Sequence, residues 1–328
     1  MTLPKISVII TAHDRKDYII ECLKSVLDQT LDRNLYEIIV VKNFDDAHID
    51  DLINKNRVIN VKTSNDAIGE KFLLGAEYSS GDILCLLNDD DLFTKNKLEY
   101  IFHLFTENND LIYYHNSFVT IDEQGGIQNN NIILKNFMFN TKNIHKNAIK
   151  TALSGLNTFN DSCITVKRKI ILECKALLIN IRGNQDTILF LLSSTFEGIL
   201  IGNREKLTIY RSHISASTFT NNTMENIKKF NDLINKRLES YRSILPLFTG
   251  KSTLYEFVKC NYRSNFLQSL MFKDSGRIEI LREVVRFINC PFVVSFKTRF
   301  YLIVIMLLKI INKNITCKYI SKFVFKYY

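Results

Sequence analysis

Three adjacent carboxylates, Asp89, Asp90 and Asp91, follow directly on the apolar run Ile83, Leu84, Cys85, Leu86, Leu87 and the amide Asn88. The run is too short for a helix and is bounded by Gly81 and the acids, which predicts a buried strand with the acids at its carboxyl end. In an open parallel sheet ligands bind beyond that end. Clustered Asp oxygens there suit a hard divalent cation, Mg²⁺ or Mn²⁺, bridging to phosphate. The competing reading is a solvated acidic turn that caps the next helix.

The elements that must position those acids repeat one pattern. Residues 5–11 hold the β-branched run Ile6, Ser7, Val8, Ile9, Ile10, and the polar turn His13, Asp14, Arg15 leads into a helix over 17–29. That helix places Ile19, Ile20, Leu23, Val26 and Leu27 at helical spacing. A strand over 37–41 ends at Lys42, Asn43, Phe44 and Asp45, and a third over 57–63 precedes Ile68, Gly69, Glu70, Lys71 and a helix through Tyr78. Strands alternating with helices imply βαβ units, hence an α/β fold with a mostly parallel, doubly wound sheet. Later, 163–166 predicts a strand returning to the sheet and 169–179 a helix. Tyr113, Tyr114, His115 and Asn116 are expected to end the preceding strand, either lining an acceptor pocket or, the favoured reading, with the tyrosines in core and rim packing.

In order and spacing these pieces resemble a family 2 glycosyltransferase of the GT-A, Rossmann-like fold. The resemblance rests on Val8 to Arg15, the helix end Ser25-Val26-Leu27-Asp28-Gln29-Thr30, the strand Glu37-Ile38-Ile39-Val40-Val41, Gly69-Glu70-Lys71 with Gly75-Ala76, and Ser80-Gly81-Asp82-Ile83-Leu84 running into the acids. It implies that the Asp-x-Asp motif of the family falls on Asn88-Asp89-Asp90. Asn88 replaces the first acid, so Asp90 is expected to be the principal metal ligand, with Asp91 beside it and Asn88 and Asp89 on the donor. The resemblance extends to Arg182-Gly183-Asn184-Gln185-Asp186-Thr187, where Asp186 stands in the place of the general base. An acid beside a helix start is equally a good cap. It ends near residue 220 with Tyr210-Arg211-Ser212-His213, a late loop that implies Arg211 at the donor and His213 at the metal or diphosphate. A lone loop His is also an ordinary surface residue.

By the same resemblance Thr11, His13 and Asp14 contact the nucleotide. The second strand's end lacks the usual acid facing the base, and Asn43 or Asp45 could serve instead. Lys71, a cation beside a helix start near the acids, can pair with a diphosphate, or be plain solvated helix charge.

Composition bounds these readings. At 328 residues the chain accommodates one large domain, expected over 1–221, and a helical extension over 222–328. Seven cysteines without a Cys-x-x-Cys pair fall mostly in apolar runs, consistent with buried thiols in a reducing compartment rather than zinc or disulfides. Residues 1–5 run straight into the first expected strand, so no signal peptide is expected. Residues 1–221 carry 24 Lys or Arg against 27 Asp or Glu, whereas 222–328 carry 19 against 7. No acid follows Glu283, and eight cations there interleave with phenylalanines and tyrosines. Such a segment suits an anionic membrane surface. A spanning helix needs about 20 apolar residues, and the run 300–308 is uninterrupted for only nine. Monotopic attachment on the cytoplasmic face is therefore expected; the alternatives are a packed core helix and, less well matched to the apolar run, nucleic acid binding.

The combined expectation is a metal-dependent, inverting transferase moving a sugar from a nucleoside diphosphate to a hydroxyl of a glycan or lipid-linked acceptor, with no nucleic acid partner. A nucleotidyltransferase on a related sheet and a silent sugar-nucleotide binder or membrane scaffold are the competing classes.

Overall fold

The computed structural model describes residues 5–128, 134–143, 146–154, 157–213, 223–250, 252–273, 275–290 and 296–311. The chain divides into two compact units, Met1–Ser212 and His213–Tyr328, with the boundary ahead of the expected residue 221.

The first unit runs β1 (Ile6–Thr11), α1 (Ile19–Leu27), β2 (Tyr36–Lys42), α2 (Ala47–Lys55), β3 (Ile59–Lys62), α3 (Ile68–Tyr78), β4 (Ile83–Asn88), β5 (Leu92–Phe93), α4 (Lys97–Glu107) and β6 (Leu111–Ile121). It continues with β7 (Ile127–Gln128), β8 (Phe137–Asn140), α5 (Lys146–Ala152), β9 (Ile164–Lys167), α6 (Arg168–Glu173), α7 (Lys175–Leu178), α8 (Gln185–Ser193) and β10 (Ile199–Arg211). The strands form one sheet in the order β3-β2-β1-β4-β9-β6-β10-β5, with β7 on β6 and β8 on β10. Pairing is parallel from β3 through β4, and β6 is parallel to β10. Strand β9 enters antiparallel to both β4 and β6. The mostly parallel α/β expectation is borne out.

The central strands are apolar on both faces because helices cover both sides. Ile6, Val8 and Ile10 of β1 join one core with Ile38, Val40, Cys85 and Leu87 and with the inner face of α1. On the opposite face Ile9 meets Gly75 of α3, where a Cβ would stand 2.4 Å from Ile9 Cγ2; only glycine lets the helix come that close.

Two local expectations are corrected. The helix over 169–179 is two helices, α6 and α7, separated at Cys174, whose φ −87 and ψ 12 leave helical geometry. Strand β6 does not end near Asn116 but continues to Ile121, because β10 pairs along its length. Tyr113 and Tyr114 are buried within it. The cysteines among the described residues are free and buried, whereas Cys317 lies outside them.

The second unit contains α9 (Thr223–Ile244), α10 (Ser252–Ser269), α11 (Arg277–Ile288) and α12 (Phe296–Ile311). Phe230, Ile234, Leu267, Ile280, Val284, Phe287, Leu302, Ile305 and Met306 form its core. The apolar run 300–308, expected to be available to a membrane, thus commits one side to that core. Among the described residues no helix is long and apolar enough to cross a membrane. Lys313, Lys318, Lys322, Lys326 and the terminal aromatics lie outside the described residues.

Candidate active site

Strand register builds the site. Thr11 pairs with Val41 on one side and Asn88 on the other, so β1, β2 and β4 end level and their following loops emerge at one edge. The Asp89 N–H donates to Thr11 O at 3.2 Å and the Asp91 N–H to Asn88 O at 3.2 Å, folding the acids into a tight turn. Asn88 itself stays in the ladder: its N–H donates to Ser162 Oγ at 3.0 Å, and its side chain lies 3.4 Å from Thr11 Oγ1.

The three acids differ in burial and in partners. Asp91 is buried; its Oδ1 accepts the Arg211 N–H at 2.9 Å and its Oδ2 the Asn160 side-chain amide at 2.8 Å. Burial and the neighbouring Asp90 push its carboxyl upward. Asp89 is also buried and pushed up to about 6, first by desolvation. Asp90 is half-buried and the most open of the three. Arg15 binds both Asp89 and Asp90, the latter at 2.6 Å. It was not among the expected site residues, although its place four residues beyond the first strand was a readable signal.

Arg211, expected at the donor, is committed to the fold. Its Nε donates to Asp90 O at 3.1 Å, Nη1 to Glu123 O at 3.3 Å and Nη2 to Glu21 at 2.6 Å, and the guanidinium stacks 4.6 Å from the Tyr18 ring centre. It bolts the acid turn to α1.

Asn160 is the second residue that sequence reasoning missed. It has φ 75, tolerable for Asn, and links two acidic regions. Beyond its bond to Asp91, its N–H donates to Asp186 Oδ2 at 3.1 Å. Asp186 lies in the first turn of α8, after Asn184 at φ 55. Gln185 Nε2 donates to the adjoining Asp161 at 2.7 Å, and burial followed by the charge of Asp186 raises the Asp161 carboxyl well above the carboxylate range. Of the four non-glycine residues with positive φ among the described residues, Asp14, Asn160 and Asn184 flank this region, the clustering of backbone strain found at functional sites.

After β1 and β2 Asn43 holds Asp14: Asn43 Oδ1 accepts the Asp14 N–H at 2.8 Å and Nδ2 donates to Asp14 Oδ1 at 2.7 Å. Asp45 is exposed and paired with Lys62. Lys71 is buried, with Nζ donating to Ala12 O at 2.8 Å and lying 3.0 Å from His13 Nδ1. His213, partly buried, opens the second unit.

Burial lowers the Lys71 ammonium from 10.5 to about 8. Between those values the unfolded chain binds more protons than the folded one, so this group makes stability rise with pH across that window. Lys71→Met should remove that part of the rise, read as the difference between the two proteins' denaturation midpoints from pH 8 to 10.5. Identical slopes would place the ammonium in water.

No group of three or more His, Cys, Asp or Glu side chains is gathered to hold a metal among the described residues. Mg²⁺ bound to a phosphate substrate, however, uses only one or two carboxylates, the rest coming from phosphate and water. Asp90, with Asp89, whose Oδ2 is buried without a hydrogen-bond partner among the described residues, fits that smaller donor set.

The sequence profile described as Glycosyl transferase family 2 matches residues 7–173. The chain belongs to this family. The matched stretch includes the acid turn and Asn160, while Asp186, Arg211 and His213 lie beyond it. A glycosyltransferase of Rickettsia bellii, described as uncharacterized, is 28% identical to this family 2 chain over 221 residues, 66% of the chain and 30% of its own length. Another, from Rickettsia conorii, is 34% identical over 128 residues, 37% of the chain and 20% of its own length. The chain thus spans at most 30% of these curated relatives. The crystal structure of S. aureus TarS 1–349 aligns with TM-score 0.60 at 11% identity, covering 98% of this chain and 91% of that one. The same protein in complex with UDP-GlcNAc aligns with TM-score 0.55 and the same identity and coverage. At that identity the likeness concerns the fold, which is GT-A.

Proposed function

We propose that this family 2 chain is a metal-dependent, inverting glycosyltransferase that moves a sugar from a nucleoside diphosphate to an acceptor hydroxyl on a glycan or lipid-linked substrate, working peripherally at the cytoplasmic face of an anionic membrane. The reading is carried by Asn160, whose side chain holds Asp91 of the acid turn while its N–H holds Asp186. One residue therefore stands between a turn suited to a diphosphate and a carboxylate able to take a proton.

Asp186 accepts the proton of the acceptor hydroxyl as that oxygen bonds to the anomeric carbon. The bond from this carbon to the diphosphate breaks on the opposite face, and its electron pair leaves with the nucleoside diphosphate. Asp90 and Asp89 would hold a Mn²⁺ or Mg²⁺, which would supply neutralisation of the charge growing on the diphosphate. Arg15 can exchange a carboxylate oxygen for a phosphate oxygen, since a guanidinium recognises both in the same bidentate geometry. Lys71 reaches the end of β1 through Ala12 O, with Thr11, His13, Asp14 and Asn43 assigned to the nucleotide and Asp45 beyond them. Asp91 and Arg211 hold the turn in shape.

Asn88 in place of an acid, together with Arg15 closed over Asp89 and Asp90, favours a second reading as a silent sugar-nucleotide binder. UDP release from UDP-GlcNAc, chosen because a fold neighbour binds it, separates the readings when measured with Mn²⁺ and with EDTA. Release that needs the metal is expected. Binding without turnover supports the silent binder, and pyrophosphate release from a nucleoside triphosphate would place the chain among nucleotidyltransferases.

A further inference from the structure

Helix α12 is built inside out. Over 300–311 its only charged residue is Lys309, and that residue is 7% exposed. Its Nζ donates to the carbonyl oxygens of Leu270, of Met271 at 3.1 Å and of Lys273 at 2.5 Å, at the end of α10. The outer face is apolar and aromatic instead: Phe300 and Ile311 are 57% and 73% exposed, and Tyr301 and Leu307 are exposed beside them. A helix in water places its cation outward and its apolar residues inward.

The packed neighbour α11 repeats the pattern. Ile280, Val284 and Phe287 fill the core, yet Ile278, Leu281, Val285 and Ile288 form a second apolar stripe that is also exposed, Ile278 at 74% and Val285 at 57%. At about 100° per residue these four share one face, with Arg277 on one edge and Arg282 and Arg286 on the other. All three arginines are exposed.

We infer that the exposed faces of α11 and α12 seat this unit in the headgroup region of an anionic bilayer. Charge selects the occupant. Residues 222–328 carry 19 cations against 7 acids, with none of the acids after Glu283, so a second copy meeting this face about a two-fold axis would bring like charge against like. Anionic headgroups meet the flanking arginines while the apolar stripe enters the acyl boundary. This deepens the membrane element of the proposed function, naming the surface, and is independent of the assigned catalytic residues.

The test is co-sedimentation of the full chain with phosphatidylcholine vesicles and with phosphatidylcholine–phosphatidylserine vesicles, alongside hydrolysis of a soluble donor. Binding to the anionic vesicles is expected, weakened about tenfold or more by Leu281→Glu with Val285→Glu, while Ile127→Glu with Met138→Glu in the first unit leaves it unchanged. Donor hydrolysis should survive both pairs, so loss of membrane binding and failure of the catalytic reading are separate results. The chain has no tryptophan, so Leu281→Trp gives a second readout that tolerates folding defects in the Glu variant: its emission should shift to the blue with anionic vesicles, and that of Ile127→Trp should not. Absence of vesicle binding, equal binding to both lipids, or a dimer that the Leu281→Glu, Val285→Glu pair dissociates would overturn the assignment.

Discussion

Asp186→Asn is expected to lower glycosyl transfer by about 10²–10⁴-fold, the usual worth of a positioned general base, while donor binding stays near wild type. The amide keeps an acceptor oxygen for the Thr187 N–H, which Asp186 Oδ1 now accepts at 2.7 Å, but it risks the bond from Asn160 at 3.1 Å. A stability loss of about 1 kcal/mol is the scale of one such hydrogen bond. Transfer rate, donor titration and thermal midpoint measured together separate the roles. Transfer that persists while the midpoint drops would show Asp186 to serve only the first turn of α8 and its bond from Asn160.

Asp90→Ala should reduce donor turnover by at least about a hundredfold and abolish Mn²⁺-dependent nucleotide binding, because the leaving diphosphate loses its neutralising partner. Its effect on stability should be smaller than that of a structural acid. The charge of Asp90 is one of the causes that raise Asp89 and Asp91, so removing it relieves repulsion that offsets the loss of its 2.6 Å pair with Arg15, which keeps Asp89 as a partner. A variant that is inactive yet close to wild type in its resistance to urea is the expected outcome, the usual sign of a group retained for function rather than for stability. Full turnover in this variant, or in EDTA, would falsify the assignment of the acid turn.

The α/β class and the strand beneath the acids were legible because a run of apolar residues closed by Gly81 and by carboxylates has few folded solutions. The place of Asp186 at a helix start was legible for a similar reason, since caps and first turns are written in neighbouring residues. The packing of 300–308 was not legible. An apolar run does not say which of its sides meets the core, and Leu302, Ile305 and Met306 meet Phe230 and Leu267.

The sequence by itself determined this protein's fold class, its family and the strand ends from which ligand-binding loops must emerge, because periodicity and short motifs belong to contiguous residues. Only the tertiary structure decided which acid faces outward, that Arg15 closes over the acid turn from 74 positions away, and that Asn160 joins that turn to Asp186, 26 positions on. It also decided that Arg211 serves the fold and that Lys309 points inward. Those outcomes depend on which groups are brought together after the sheet has closed, where burial and pairing compete at a cost no local spacing encodes.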